Sequence, residues 1–279
     1  MLTSLVSCNP GQAFRCHVLC DGVDRMLRAR VAECCQPVQI LWYGVEQHQV
    51  LEFAPLLQIT RATYLRLMML EVLSPAIQRV LYLDVDVIVN GDLRPLWNTD
   101  MGDHVCAAVV DPGVDADAFA TQYELSKPGR YFNAGVLLFD LTKLRGKHFL
   151  EQAIAILEDP TVHLEFADQD ALNIVLWNQW LPVDPCWNFQ RKFLYDDFAA
   201  WKSLNPKTRE PAIIHFTERY KPWQHTEWHP YAWLYLRNLL RTSFSTEVLR
   251  TGGIGFADGF KWWLRYRLKR PAVFRAPRS

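Results

Sequence analysis

Val80-Leu81-Tyr82-Leu83-Asp84-Val85-Asp86-Val87-Ile88-Val89 is the most strand-like stretch of the chain. Aliphatic and β-branched residues run through it almost unbroken, as in a strand covered on both faces. Two carboxylates interrupt that run. Side chains two apart in a strand leave the same face, so Asp84 and Asp86 are predicted to stand together in an apolar setting. Two ionised carboxylates so placed repel each other and are costly to desolvate unless a cation joins them. The pair asks for a divalent metal, and oxygen ligands favour magnesium or manganese over zinc. The plainer alternative is a strand that ends at Leu83 and leaves both acids in solvent; the apolar continuation Val87-Ile88-Val89 speaks against it.

Outward from this strand, Gly, Pro and Asn divide the chain. Residues 1–8 read as a helix stopped by Asn9-Pro10-Gly11, 14–19 as a buried strand, 21–35 as a helix capped by Asp21, and 38–43 as a second strand. Helical spacing returns over 61–73. Strands are predicted at 105–110, 134–139 and 213–216, a helix at 143–157, and a partly helical aromatic segment at 223–240. Alternation of this kind gives an α/β class with a mainly parallel central sheet flanked by helices.

Composition narrows the function classes. With 279 residues, 50% hydrophobic, the chain is too apolar to be disordered and long enough for a sizeable core. Thirty basic residues balance thirty acidic ones, so nothing global points to nucleic acid. The balance is uneven along the chain: residues 259–279 hold seven basic residues and no acid, leaving a body with an acidic excess. Seven cysteines in apolar contexts read as packed free thiols of a cytoplasmic protein; Cys16 and Cys20 lack the second pair that a metal knuckle would need. No run is long and apolar enough to span a bilayer, and no secretory leader is evident.

Two chemistries use a strand of this form. In phosphatases of the haloacid-dehalogenase type the first Asp is a nucleophile and the second an acid/base, but their downstream acidic cluster has no counterpart after Asp86. In nucleotide-sugar transferases the pair grips a metal that bridges the donor diphosphate. The remaining motifs follow in one order: Thr63-Tyr64-Leu65-Arg66-Leu67, the Asp84/Asp86 strand with Asn90-Gly91-Asp92-Leu93, Tyr131-Phe132-Asn133-Ala134-Gly135, Asp168-Gln169-Asp170-Ala171-Leu172-Asn173, and His215-Phe216 with Lys221-Pro222-Trp223. That order resembles glycosyltransferase family 8, which includes bacterial lipopolysaccharide galactosyl- and glucosyltransferases and glycogenin. The resemblance covers about residues 1–223.

The resemblance implies a GT-A type fold and a metal-dependent, retaining transfer of a hexose, galactose or glucose, from a UDP-sugar to a saccharide acceptor such as lipopolysaccharide or another cell-surface glycan. It implies that Asp84, Asp86 and His215 hold manganese or magnesium, and that Lys221 neutralises phosphate oxygens of the leaving group. Arg66, Val85, Asn133 and Ala134 correspond to donor-binding positions. Asp168 and Gln169 correspond to the catalytic pair near the reacting carbon of the donor sugar. Asp168 would bond sugar hydroxyls, and Gln169 would lie opposite the leaving diphosphate. Each has a plainer reading: a core histidine, solvated Arg66 and Lys221, a turn at Asn133, a helix start at Asp168.

The chain also departs from that pattern. It begins inside the helix that an opening strand normally precedes, so a central strand and part of the base pocket are expected to be missing. This leaves a truncated, inactive relative acting as a binding or scaffold protein as an alternative. Glu218 stands where the family commonly has a glycine, and an inward-pointing acid there would repel phosphate. Finally, Phe256, Phe260, Trp262, Trp263, Leu264, Tyr266 and Leu268 interleave with Lys261, Arg265, Arg267, Lys269 and Arg270 as in a basic amphipathic interfacial helix. The expected division is a transferase domain over 1–245 and a basic aromatic tail over 246–279. The tail would take a cytoplasmic protein to the inner face of an anionic membrane.

Overall fold

The computed structural model describes residues 1–44, 65–194, 210–217, 221–224 and 229–268. Helix α1 (Leu2–Cys8) leads into strand β1 (Arg15–Cys20), helix α2 (Arg25–Cys34) and strand β2 (Gln39–Gly44). The cap of α2 is Asp24, which accepts from the Leu27 N–H at 2.7 Å, and not Asp21. β1 is half-buried along most of its length rather than buried. The helix expected over 61–73 appears in part as α3 (Met69–Val72) and a helical turn at 65–67; residues 61–64 lie outside the described residues.

The decisive stretch is two strands, not one. β3 (Arg79–Leu83) ends at the first carboxylate, a turn holds Asp84, Val85 and Asp86, and β4 (Val87–Val89) continues in a different sheet. β3 pairs with β6 (Phe132–Asp140), and β4 pairs with β9 (Ile213–His215). The Asp84 N–H donates to Gly135 O at 2.9 Å, while Asp86 O accepts from the Phe216 N–H at 3.0 Å. The Asp-Val-Asp turn is thus the crossing between two sheets. That is why the apolar run continues on both sides of it.

Helix α4 (Arg94–Trp97) precedes strand β5 (Cys106–Val110), helix α5 (Ala116–Gln122) and β6. After β6 come α6 (Leu141–Arg145), α7 (Phe149–Glu158), α8 (Asp168–Val175), β7 (Trp180–Pro182) and β8 (Phe189–Gln190). The single helix expected over 143–157 is broken before α7, where His148 takes a left-handed φ of 49°. The sheets run β3-β6-β5-β7, β4-β9-β8 and β1-β2. Pairing is mixed rather than mainly parallel, because β6 is antiparallel to both its neighbours and β4 is antiparallel to β9. The parallel pairs are β1-β2, β5-β7 and β8-β9.

The main core lies between β6 and the helices on its face. Phe132, Leu137 and Phe139 pack with Phe149, Ala153 and Leu172, and β6 is buried over nearly its whole length. Asn173 of α8 fastens helix to strand, accepting from Phe132 N–H at 2.8 Å and donating to its carbonyl at 2.9 Å. After β9 the chain forms α9 (Ala232–Leu239), α10 (Ser245–Thr251) and α11 (Phe256–Leu268). Trp262 of α11 is buried with Ala232, Leu236, Leu239 and Ile254, so this helix is docked on the body by one of its tryptophans. Phe256, Phe260, Trp263, Leu264 and Leu268 remain exposed, whereas Lys269, Arg270 and the rest of the expected tail lie outside the described residues.

Candidate active site

The Asp84–Asp86 turn faces the end of β9 and the start of α8. Each carboxylate divides its oxygens between two kinds of partner. Asp84 Oδ1 accepts from the Tyr82 hydroxyl at 2.6 Å and from Arg66 Nη2 at 2.8 Å, while its Oδ2 lies 3.7 Å from His215 Nε2. Asp86 Oδ2 accepts from Lys221 Nζ at 2.6 Å, while its Oδ1 lies 3.3 Å from the same His215 nitrogen. One ligand atom each of Asp84, Asp86 and His215 lie within 4.8 Å of one another. Among the described residues this is the one group of His, Cys, Asp or Glu side chains placed to hold a metal ion. All seven cysteines are free.

Neither acid is left in solvent: the side chains are 25% and 14% exposed. Burial alone would raise the Asp86 carboxyl, but His215 and Lys221 outweigh it and hold it below the usual carboxylate range. Close approach of β6 makes the cluster possible. A Cβ on Gly135 would sit 2.0 Å from His215 Cε1 and 2.9 Å from Asp84 Oδ2, so no other residue leaves room for both side chains.

Arg66, its side chain 10% exposed, lies beside the cluster and joins Asp84 to Asp168. Its Nη1 bonds Asp168 Oδ2 at 2.8 Å, its Nη2 bonds Asp84, and its guanidinium lies 4.7 Å from the centre of the Tyr82 ring. Burial raises the Asp168 carboxyl and the Asp84 charge adds to the rise; the Arg66 charge opposes it without cancelling it. Gln169 sits one residue on, in the first turn of α8. Its Oε1 accepts from Ala134 N–H at 2.9 Å, and its Nε2 donates to Asp111 Oδ2 at 3.3 Å and to the Tyr131 hydroxyl at 3.2 Å. Asp170 orders the approach to this helix, accepting from the Tyr131 hydroxyl and from the Glu165 and Phe166 N–H groups.

Asn133 is buried at the start of β6, where β5 and β6 slip register between Ala108 and Val109. Bulges of this kind re-aim side chains beside sites. Asn133 donates to Asp111 Oδ2 and accepts from Gly135 N–H and from Asn188 Nδ2. Arg66, Asp84, Asp86, Asn133, Ala134, Asp168, Gln169, His215 and Lys221 are therefore brought together. Val85 is at the same turn, but its side chain is 83% exposed. Glu218 lies outside the described residues. The sequence reading missed Tyr82, Asp111, Tyr131 and Asn188. Asp111 and Asn188 are buried polar residues whose shared partner Asn133 lies 22 and 55 positions away, so no local pattern in the sequence marks them.

The sequence pattern described as glycosyl transferase family 8 matches residues 1–227. The chain belongs to this family. It is an enzyme, a hexosyltransferase, and the phosphatase alternative is set aside. Among its relatives is general stress protein A of Bacillus subtilis, 31% identical over 196 residues that make up 67% of this chain and 68% of that protein. Lipopolysaccharide 1,3-galactosyltransferase of Salmonella typhimurium is 28% identical over 243 residues, 85% of this chain and 72% of that one. Among solved structures, the galactosyltransferase LgtC in complex with donor and acceptor sugar analogues superposes with a TM-score of 0.74 at 25% identity, over 90% of this chain and 95% of that chain. The family 8 transferase therefore has the GT-A type fold.

Proposed function

We propose that this family 8 enzyme transfers galactose or glucose from a UDP-sugar to a saccharide acceptor, with retention of anomeric configuration and with a divalent metal held by Asp84, Asp86 and His215. The observation that carries this reading is the unspent set of ligand atoms, Asp84 Oδ2, Asp86 Oδ1 and one imidazole nitrogen, gathered in a part-buried cluster. The two carboxylate oxygens suit manganese or magnesium, and the imidazole nitrogen favours manganese of the two. When bound, such an ion supplies positive charge for the two phosphates of the donor.

The chain's own groups do the rest. Lys221 Nζ, now on Asp86 Oδ2 and Phe216 O, is the cation positioned to turn onto phosphate oxygens as charge develops there. Arg66, fixed between Asp84 and Asp168, orients the Asp168 carboxylate toward donor hydroxyls. Gln169 is a poor nucleophile: its amide oxygen already accepts a backbone N–H and its nitrogen donates to Asp111. An acceptor hydroxyl therefore attacks the anomeric carbon from the side the diphosphate leaves. The carbon–oxygen bond to UDP breaks, the new glycosidic bond forms, and the hydroxyl proton passes to the departing phosphate oxygen.

Residues 1–245 form the transferase unit and 246–279 the tail in this reading. The similarity to a lipopolysaccharide galactosyltransferase makes a lipid-linked glycan the favoured acceptor. The exposed face of α11, with Phe260 and Trp263 stacked at 5.8 Å beside Lys261 and Arg267, suits the surface of an anionic membrane on its cytoplasmic side. No helix of the described residues is long and apolar enough to cross one. The test is release of UDP from UDP-galactose and UDP-glucose with manganese. Release that EDTA stops, and that falls by about 10²-fold or more in Asp84→Asn and Asp86→Asn, is expected; equal release by these variants would overturn the metal assignment.

A further inference from the structure

Resting on the metal reading above, we infer that Asn188 is a positioning residue that fixes His215 with its Nε2 lone pair turned toward Asp84 and Asp86, and that its own orientation is dictated from Asp111 through Asn133.

The direction of every bond in this chain follows from two groups that cannot reverse. The Gly135 N–H only donates, and it points at Asn133 Oδ1 from 3.1 Å. The Asp111 carboxylate, already receiving Gln169 Nε2, faces Asn133 Nδ2 at 3.1 Å. Between them they allow Asn133 one orientation, with oxygen toward Gly135 and nitrogen toward Asp111. The same Asn133 oxygen lies 2.8 Å from Asn188, so Asn188 must present its NH2 there. Its amide oxygen is then left facing His215 Nδ1 at 3.0 Å, and an oxygen can only accept. When the imidazole is neutral, as a ligand to a metal must be, its one proton is therefore held at Nδ1. Nε2, opposite, faces Asp86 Oδ1 and Asp84 Oδ2.

Burial makes this order strict. Asn188 is fully buried and Asn133, Asp111 and His215 nearly so, which leaves no solvent to satisfy a reversed amide. Gly135 closes the remaining freedom, since the His215 ring rests where its side chain would be. Fixing the tautomer and ring plane of a ligating histidine through its other nitrogen is worth about 10–100-fold in metal affinity. The relay has a second end. Asp111 also receives Gln169, so one carboxylate orients both the metal-facing histidine and the amide beside the donor sugar.

The experiment is a manganese titration of the full chain followed by the loss of the free-ion electron paramagnetic resonance signal, with folding checked by circular dichroism. Asn188→Leu, which removes the acceptor, is expected to weaken manganese binding about 10–100-fold. Asn188→Asp keeps an acceptor for Nδ1–H but sets a second oxygen against Asn133 Oδ1, so it is expected to bind manganese more weakly than the unaltered protein and more tightly than Asn188→Leu. A role in packing alone would not produce that order. Unaltered affinity in folded Asn188→Leu overturns the inference, as does affinity in folded Asn188→Asp no better than in Asn188→Leu; should the leucine variant not fold, a loss beyond about 100-fold in folded Asn188→Asp overturns it. No manganese binding by the unaltered chain would instead overturn the metal reading itself.

Discussion

Lys221 Nζ lies 2.6 Å from Asp86 Oδ2, on the opposite side of that carboxylate from His215. A single side chain thus receives a lysine cation on one oxygen and offers the other to the cluster. In the mechanism proposed above, Lys221 compensates Asp86 while the donor is away and turns onto the diphosphate when it is present. Lys221→Met should lower kcat by about 10²–10³-fold, the scale of losing one group that stabilises transition-state charge. Manganese affinity should not fall, since a competing cation has been removed. Parallel losses in kcat and in manganese affinity would place Lys221 in ion binding instead.

Asp86 also makes the fold acid-sensitive. Its carboxyl is held below its ordinary value of 3.8 in the folded protein, so the stability it contributes is complete above that value and is lost as pH falls through the lower, folded value. In EDTA, the melting temperature should drop as pH is lowered from about 5 to about 3. Asp86→Asn should show a shallower drop across the same window. Identical acid limbs for the two proteins would contradict the attribution.

Gly135→Ala tests how tightly the cluster is built. The added methyl would lie 2.0 Å from His215 Cε1, and the ring cannot yield without leaving Asn188. Urea denaturation should show a loss of about 1–3 kcal/mol, the usual cost of overpacking. Manganese binding should weaken along with it.

Helix α11 carries two kinds of tryptophan. Trp262 is buried against Ala232, Leu236 and Ile254, so Trp262→Ala should cost about 3–5 kcal/mol by denaturant unfolding. Phe260 and Trp263 are exposed, and their replacement by alanine should change stability by no more than about 0.5 kcal/mol. Sedimentation with vesicles containing phosphatidylglycerol should fall in the Phe260/Trp263 pair variant. Undiminished sedimentation would remove α11 from membrane binding.

Much of this was legible in the sequence, and the misses have physical causes. The elements around β1, β2, β5, β6 and β9 were marked by apolar runs between Gly, Pro and Asn, and periodicity reads such runs well. The apolar run through Asp84 and Asp86 misled because periodicity does not report which sheet a strand joins. Val85 is 83% exposed at a turn, yet valine on either side of an acid looks like strand. Sheet direction was misjudged because alternating elements favour parallel pairing, whereas β6 returns antiparallel between β3 and β5. Asp84, Asp86 and His215 were recognisable from motif order. Asp111 and Asn188 were not, because they act on other side chains and their partners are far away in sequence: Asn188 meets Asn133 across 55 positions.

The most direct test of the central claim is a thermal-shift series on this chain with UDP, GDP and UMP, each with and without manganese. A ligand that binds only the folded state must raise its melting temperature. Asp84, Asp86 and His215 as a metal site for a uridine diphosphate predict that UDP stabilises the protein in the presence of manganese and loses that effect in Asp84→Asn. A shift by UDP that is the same with EDTA, or the same in Asp84→Asn, would contradict it.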